Sequence, residues 1–167
     1  MPRFFFEADG CVDIIYQGSV CDLTKNYNDY LWEGFIIESQ AAFDAALGNC
    51  TTIIGPLFIS TNYTGPLVMN SVTNITGQLS TIGKSFETYT NEQTVANDLT
   101  LLTSLQADDL IWLERLDLEG VPALSSISMA RLDTISWMVV YSNPTTSLGF
   151  PLLTNGSDIS IYGGYSR

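Results

Sequence analysis

The stretch Leu47–Ser60, LGNCTTIIGPLFIS, constrains this chain more than any other. Ile53, Gly55, Leu57 and Ile59 alternate with Ile54, Pro56, Phe58 and Ser60, the period-two pattern of a strand. The pattern returns over Thr73–Thr81, TNITGQLST, where Ile53 maps to Ile75, Gly55 to Gly77 and Leu57 to Leu79, each 22 residues on. A strand recurring at such an offset predicts a β-solenoid, in which each coil buries its apolar face against the next.

The rest of the chain supports that expectation. GPLFI at Gly55–Ile59 is echoed by GPLVM at Gly65–Met69, with Asn62–Thr64 turning between them, so each coil reads as two short strands. From Leu102 the apolar positions Leu105, Leu110, Leu113, Leu116, Leu118, Val121, Leu124, Ile127, Met129, Leu132 and Ile135 form a ladder. The pairs Leu116/Leu118, Ile127/Met129 and Met138/Val140 repeat every eleven residues, half a coil, as two faces per coil require. In the last coil Ile135 and Trp137 compete with Met138 and Val140 for the inward face. The spacing is similar to that of leucine-rich repeats, but Val121 stands where an Asn or Cys is expected, so no Asn ladder is predicted.

Upstream, residues 1–34 show no period and read as a poorly specified segment, with the solenoid over 35–167. Gly34–Glu38 is a strand candidate. Ser39 is placed as an N-cap, followed by Ala41, Ala42, Phe43, Ala45, Ala46 and Leu47, with Gly48 as a C′ terminator. One helix here would cover the open first coil. Residues 83–98 are polar and aperiodic and read as an inserted loop. After Tyr141 the pattern decays through an Asn143-Pro144 turn, and GSDISIYGGYSR resembles one more strand cut short, the front part of something longer.

Charge and residue choice exclude several functions. The net charge is −12, and the six basic residues (Arg3, Lys25, Lys84, Arg115, Arg131, Arg167) are scattered, so no stripe could neutralise phosphates and no nucleic-acid partner is expected. The chain has no histidine, which removes His-based triads and ordinary zinc sites, and no metal or cofactor is expected. GGY at Gly163–Tyr165 is not a phosphate loop, because no helix signal follows it. Catalysis would have to rest on carboxylates: Asp117 and Glu119 share one side of a strand, and Asp108-Asp109 precede it. A polysaccharide-acting enzyme on a β-helix could use such a pair; a solvated L-D-L-E face is the plainer reading. Tyr27, Tyr30 and Trp32 are candidates for a sugar-stacking platform or for packing against the cap. Sequons occur at Asn49, Asn62, Asn74 and Asn155, while Pro144 excludes Asn143. Asn62, in a predicted turn, is the best glycosylation candidate. The three cysteines, Cys11, Cys21 and Cys50, allow one disulfide and leave one thiol. No apolar run reaches the roughly 18 residues of a transmembrane helix, and the MPRFFFEADGC start is too short for a signal-peptide core.

LGNCTTIIGPLFI resembles the start of a receptor L domain, the right-handed β-solenoid of the insulin and epidermal growth factor receptor ectodomains. The segments IIESQAAFDAALGNCTTIIGPLFIS, VTNITGQLS, LTSLQADDLIWLERLDLEGVPALSSISMARL and TISWMVVYSN, over roughly Ile36 to Phe150, are similar to fungal GPI-anchored cell-wall-organisation glycoproteins related to sporulation-specific wall proteins. The resemblance implies a non-enzymatic, extracellular structural glycoprotein of the wall or the outer face of the plasma membrane. Its partners would be wall polysaccharide or other wall proteins. A ligand-binding module with the same fold is the alternative. A signal peptide, further coils, a Ser/Thr-rich stalk and a GPI signal are also implied, and this chain departs from the pattern in each. The receptor pattern further implies a Cys21–Cys50 disulfide, with Cys11 as competitor for either partner. That bond makes Asn49, beside Cys50, the weakest glycosylation candidate.

Overall fold

A computed structural model describes residues 14–24, 34–81, 100–142 and 146–163. The candidates Tyr27, Tyr30 and Trp32, the 83–98 insertion, Cys11, the Asn143-Pro144 turn and Gly164-Tyr165 lie outside the described residues.

The described chain is mainly β, with one helix. In order it runs β1 (Ile15–Gln17), β2 (Val20–Asp22), β3 (Phe35–Ile37), α1 (Gln40–Leu47), β4 (Thr52–Ile54), β5 (Leu57–Ile59), β6 (Thr64–Val68) and β7 (Asn74–Thr81). Then follow β8 (Leu101–Gln106), β9 (Trp112–Leu118), β10 (Ser126–Ser128), β11 (Thr134–Ser142), β12 (Ser147–Gly149) and β13 (Asn155–Gly163). Nine strands make a large sheet, ordered β1-β2-β4-β7-β9-β11-β13 with β3 and β5 alongside; four make a small one, β12-β10-β8-β6. From β5 on the chain alternates between them. Only β1–β2 pairs antiparallel among the described strands.

The 22-residue offset appears directly as strand register. Ile53 lies opposite Ile75 and Leu57 opposite Leu79, and Leu116 and Leu118 lie opposite Met138 and Val140. Ile127, halfway between, belongs to the small sheet opposite Leu105, so the eleven-residue rhythm is the chain crossing from one sheet to the other. Ile53, Leu57, Ile75, Leu79, Leu116 and Leu118 are all fully buried, in one apolar cluster. On the small sheet Leu67, Leu105, Ile127 and Leu148 form the facing column. In β11, Ile135, Met138 and Val140 all face inward, while Trp137 is half-buried and Tyr141 exposed. Apolar positions three apart and then two apart fit one face because Ser136 breaks the alternation.

The earlier layers carry one residue more between their first two apolar positions, and glycine accommodates it. Gly55 has φ +108°, which separates β4 from β5. Above it, the register of β7 against β9 shifts between Ile75 and Gln78. A Cβ on Gly77 would stand 2.4 Å from the Gly55 carbonyl oxygen, so the two neighbouring parallel backbones approach there at a distance that admits no side chain. Across the 83–98 region the register offset is 38 (Asn74 to Trp112), which exceeds 22 by 16.

A column of backbone carbonyls runs up the corner before the large sheet. Ser19 O accepts from Thr51 N (2.8 Å) and Thr52 N (3.2 Å); Thr51 O from Thr73 N (2.7 Å) and Asn74 N (3.2 Å); Thr73 O from Ile111 N (2.8 Å) and Trp112 N (3.2 Å). Ile111 O and Asp133 O repeat the motif with Asp133/Thr134 and Thr154/Asn155. Each corner carbonyl thus satisfies two backbone donors of the next layer. Here the backbone does what an Asn ladder does by side chain.

Two features of the amino-terminal region differ from expectation. Residues 14–24, aperiodic in sequence, contain the β1–β2 hairpin, and β2 extends the large sheet with Cys21 opposite Ile53. Gly48 is the C-cap of α1 with an ordinary helical φ of −61°, not a left-handed C′ residue. At the other end of the helix, Ser39 accepts from Ala42 N at 3.1 Å, as its N-cap role requires. From the first helical turn, Gln40 Nε2 donates to Val68 O (2.8 Å) and Gln40 Oε1 accepts from Val68 N (2.7 Å). The amide completes a ladder pairing at the open edge of β6, a place where an unpaired strand would otherwise invite another chain.

Tyr63 follows the β5–β6 turn and is fully buried, its hydroxyl donating to Pro66 O at 2.6 Å. Burial first, and then the Asp44 carboxylate, pushes the phenol up to about 12. The unfolded phenol ionises near 10. A raised folded pKa means stability is intact below about pH 10 and declines as pH rises toward 12, where the unfolded chain has released a proton that the folded one keeps. Alkaline unfolding monitored by circular dichroism should show that decline, and Tyr63→Phe should flatten it; an equal slope in the variant would overturn the assignment.

Candidate binding surface

With the apolar columns turned inward, the residues between them form the outward face of the large sheet. Register sets these as columns too: Asn74, Trp112, Thr134 and Asn155; Gln78, Arg115, Trp137 and Asp158; Ser80, Asp117, Val139 and Ser160; and Tyr141 with Tyr162. Arg115 stands directly across from Trp137, and its guanidinium carbon lies 3.3 Å from the ring centroid, a cation–π contact. Its Nη2 also bonds Asp117 Oδ2 at 2.7 Å, two residues along the same strand face. Arg115 Nε and Asp117 Oδ1 lie buried, with no hydrogen-bond partner among the described residues. The Tyr141 and Tyr162 rings stack at 4.6 Å with an interplanar angle of 11°. Desolvation first, then Tyr162, Glu119 and Asp117, holds the Tyr141 phenol above its ordinary range.

The four carboxylates singled out in sequence divide between two places. Asp117 and Glu119 do face outward together, but Asp117 is engaged by Arg115. The Glu119 backbone exchanges two hydrogen bonds with the Thr81 hydroxyl (2.8 and 2.9 Å). Asp108 sits at the turn after β8, where Ser128 Oγ (2.5 Å), Gln106 Nε2 (2.7 Å) and Ala130 N (3.2 Å) donate to it. The Ser128 and Gln106 bonds hold its carboxyl below the usual range. Asp109 accepts from Ser71 N (3.2 Å) and lies 3.6 Å from Arg131. These contacts fasten turns to one another. Among the described residues no cluster of His, Cys, Asp and Glu has the geometry of a metal site, and no helix is long and apolar enough to cross a membrane.

The sequon asparagines lie at the surface. Asn62 is exposed in the turn after β5, and Asn49 is exposed beside the buried Cys50. Asn74 and Asn155 occupy one column, separated by Trp112 and Thr134, hence about 14 Å apart at the ordinary strand spacing. Each turns its amide toward the preceding threonine hydroxyl, at 2.9 and 3.0 Å. Cys21 and Cys50 are joined in a disulfide, with Cα atoms 5.8 Å apart.

Sequence reasoning did not find the Arg115–Trp137 and Tyr141–Tyr162 contacts. The signal is present in the sequence, since the partners are 22 and 21 residues apart, one repeat along the outward positions. A scan against protein-family models, a search of curated proteins and a search of solved structures each return no match to this chain.

Proposed function

We propose that this chain is a secreted, non-enzymatic structural glycoprotein of the fungal wall. It is built as a right-handed β-solenoid of the receptor L-domain type, with α1 covering the first coil. The outward face of the large sheet meets wall polysaccharide or other wall proteins. The observation that carries the reading is the disulfide between β2 and the corner of β4, a bond that belongs to an oxidising compartment. Sequon asparagines at the surface of the same fold fit that compartment, and the hydroxyl-, amide- and aromatic-bearing sheet face suits contact with sugars more than with a charged polymer.

Secretion from yeast behind an added leader tests it. Glycosidase treatment is expected to shift the mobility of the secreted chain, and Asn62→Gln is expected to remove one step of that shift. The same material, incubated with wall glucans and pectins, is expected to release no reducing ends. An unmodified secreted chain, or release of reducing ends that Asp117→Asn abolishes, would sink the proposal, the second in favour of a carboxylate enzyme.

A further inference from the structure

On the outward face of β9, β11 and β13 stand the aromatic side chains Trp112, Trp137, Tyr141 and Tyr162. The last three already have a flat partner: Arg115 lies over Trp137, and Tyr141 and Tyr162 cover one another. Trp112 is half-buried and has no stacking partner among the described residues. Its neighbour in register on β7 is Asn74, the asparagine of the sequon Asn74-Ile75-Thr76.

The two sequons carried on strands of this sheet share one local arrangement and differ in what stands beside it. Asn74 and Asn155 each donate from Nδ2 to the hydroxyl of the preceding threonine, at 2.9 and 3.0 Å. Thr73 is held in turn by its bond to Thr51 O at 3.0 Å, which fixes the Asn74 amide at the sheet corner. Asn74 has Thr52 on one side and Trp112 on the other, whereas Asn155 has Thr134 beside it on β11. Adjacent strands lie about 4.8 Å apart, so the Trp112 indole borders whatever is attached to Asn74. Both residues belong to interior strands of the sheet.

We propose that Asn74 carries an N-linked glycan whose first N-acetylglucosamine packs its C–H face on the Trp112 indole, so that the sugar becomes part of the sheet's outer layer. In the transfer, Asn74 Nδ2 bonds to the anomeric carbon of that sugar and loses one proton, while the bond from the same carbon to a lipid-pyrophosphate carrier breaks. The amide keeps one N–H, so the bond to Thr73 survives. Thr76, exposed two residues on, presents the sequon hydroxyl on the same face. A pyranose has an apolar C–H face, which a neighbouring aromatic ring shields from water as it shields any apolar group. The inference rests on the secreted-glycoprotein reading.

The test uses chain secreted from yeast and trimmed with endoglycosidase H, which leaves one N-acetylglucosamine on each occupied asparagine. It is compared with Asn74→Gln, Trp112→Thr and the double variant, threonine being the residue that fills the same column at Thr134. Peptide mass spectrometry is expected to find a retained sugar on Asn74. Asn74→Gln is expected to lower the melting temperature by about 2 °C when Trp112 is present, the effect of a good cross-strand pair in a chain of this size, and to change nothing measurable in Trp112→Thr. Asn155→Gln is expected to act equally in both backgrounds, because it lies beyond the contact. If Trp112→Thr is not secreted, the trimmed parent chain decides the matter by nuclear magnetic resonance: the protons of the Asn74 sugar are expected upfield of those of an exposed sugar, displaced by the indole ring current. A sugar on Asn62 or Asn155 with Asn74 bare overturns this inference and leaves the glycoprotein reading standing. So does an Asn74 sugar with unshifted protons or with equal effects in the two backgrounds. No sugar on any sequon removes both.

Discussion

Replacing Leu57 by alanine is expected to cost about 2–5 kcal/mol of stability. Leu57 is wholly buried and stands opposite Leu79 on the next layer. Its side chain belongs to the continuous apolar cluster that joins the two sheets. A hole at this point cannot collapse easily, because register fixes the neighbours above it and the close backbone approach at Gly55 and Gly77 fixes the chain just before it. For a chain of this size each kcal/mol moves the melting temperature by about 2–4 °C. A thermal shift no larger than that of a surface substitution, about 0.5 kcal/mol or less, would mean that Leu57 is not part of a packed column.

The second large effect is expected from the disulfide. Cys21 and Cys50 are separated by 29 residues, and opening a loop of about that length should release roughly 3–4 kcal/mol in the chain-entropy model. Both cysteines are buried. A paired Cys21→Ala and Cys50→Ala variant therefore isolates the cross-link better than serine, which would leave a buried hydroxyl. The loss should concentrate where the bond acts: β2 reaches the large sheet through three residues opposite β4. Backbone hydrogen exchange is expected to accelerate first in residues 14–24, and a non-reducing peptide map to show Cys21 linked to Cys50. Cys11 found attached to either one would refute the pairing.

Much of this architecture was legible because a repeated strand leaves two independent traces, an offset and a burial pattern. Ile53, Leu57, Ile75 and Leu79 gave both, and their register followed. The Ser39 cap was readable because a hydroxyl before a run of helix formers has few other uses. Other elements left weaker traces. β1 and β2 are three residues each, too short to show a period, and Cys21 fills an apolar column position under the name of a cysteine. Gly48 looked like a left-handed terminator because glycine so often is one, yet here it takes a helical φ. Alternation also misjudged β11: strict period two forces a choice between Ile135 and Met138, whereas a single break at Ser136 lets both turn inward. The outward contacts, Arg115 on Trp137 and Tyr141 on Tyr162, were missed for a different reason. An outward side chain is placed by its neighbour in the next layer, which a period read along one strand does not show.

The carbonyl column at the large-sheet corner carries a consequence for how such a chain can change. Thr51 O meets Thr73 N after 22 residues, and Thr73 O meets Ile111 N after 38, with lengths of 2.7 and 2.8 Å. The spacing between layers is therefore gauged at that corner by two donors on one acceptor, whatever length of chain has been travelled in between. Added sequence is tolerated where the path leaves the gauge, between β7 and β8, and should be rejected within the few residues that form it. Lineages of such a molecule would then diverge in loop length at the far corners while the near corner kept its count, and a designer seeking a place to insert a peptide would choose by the same rule.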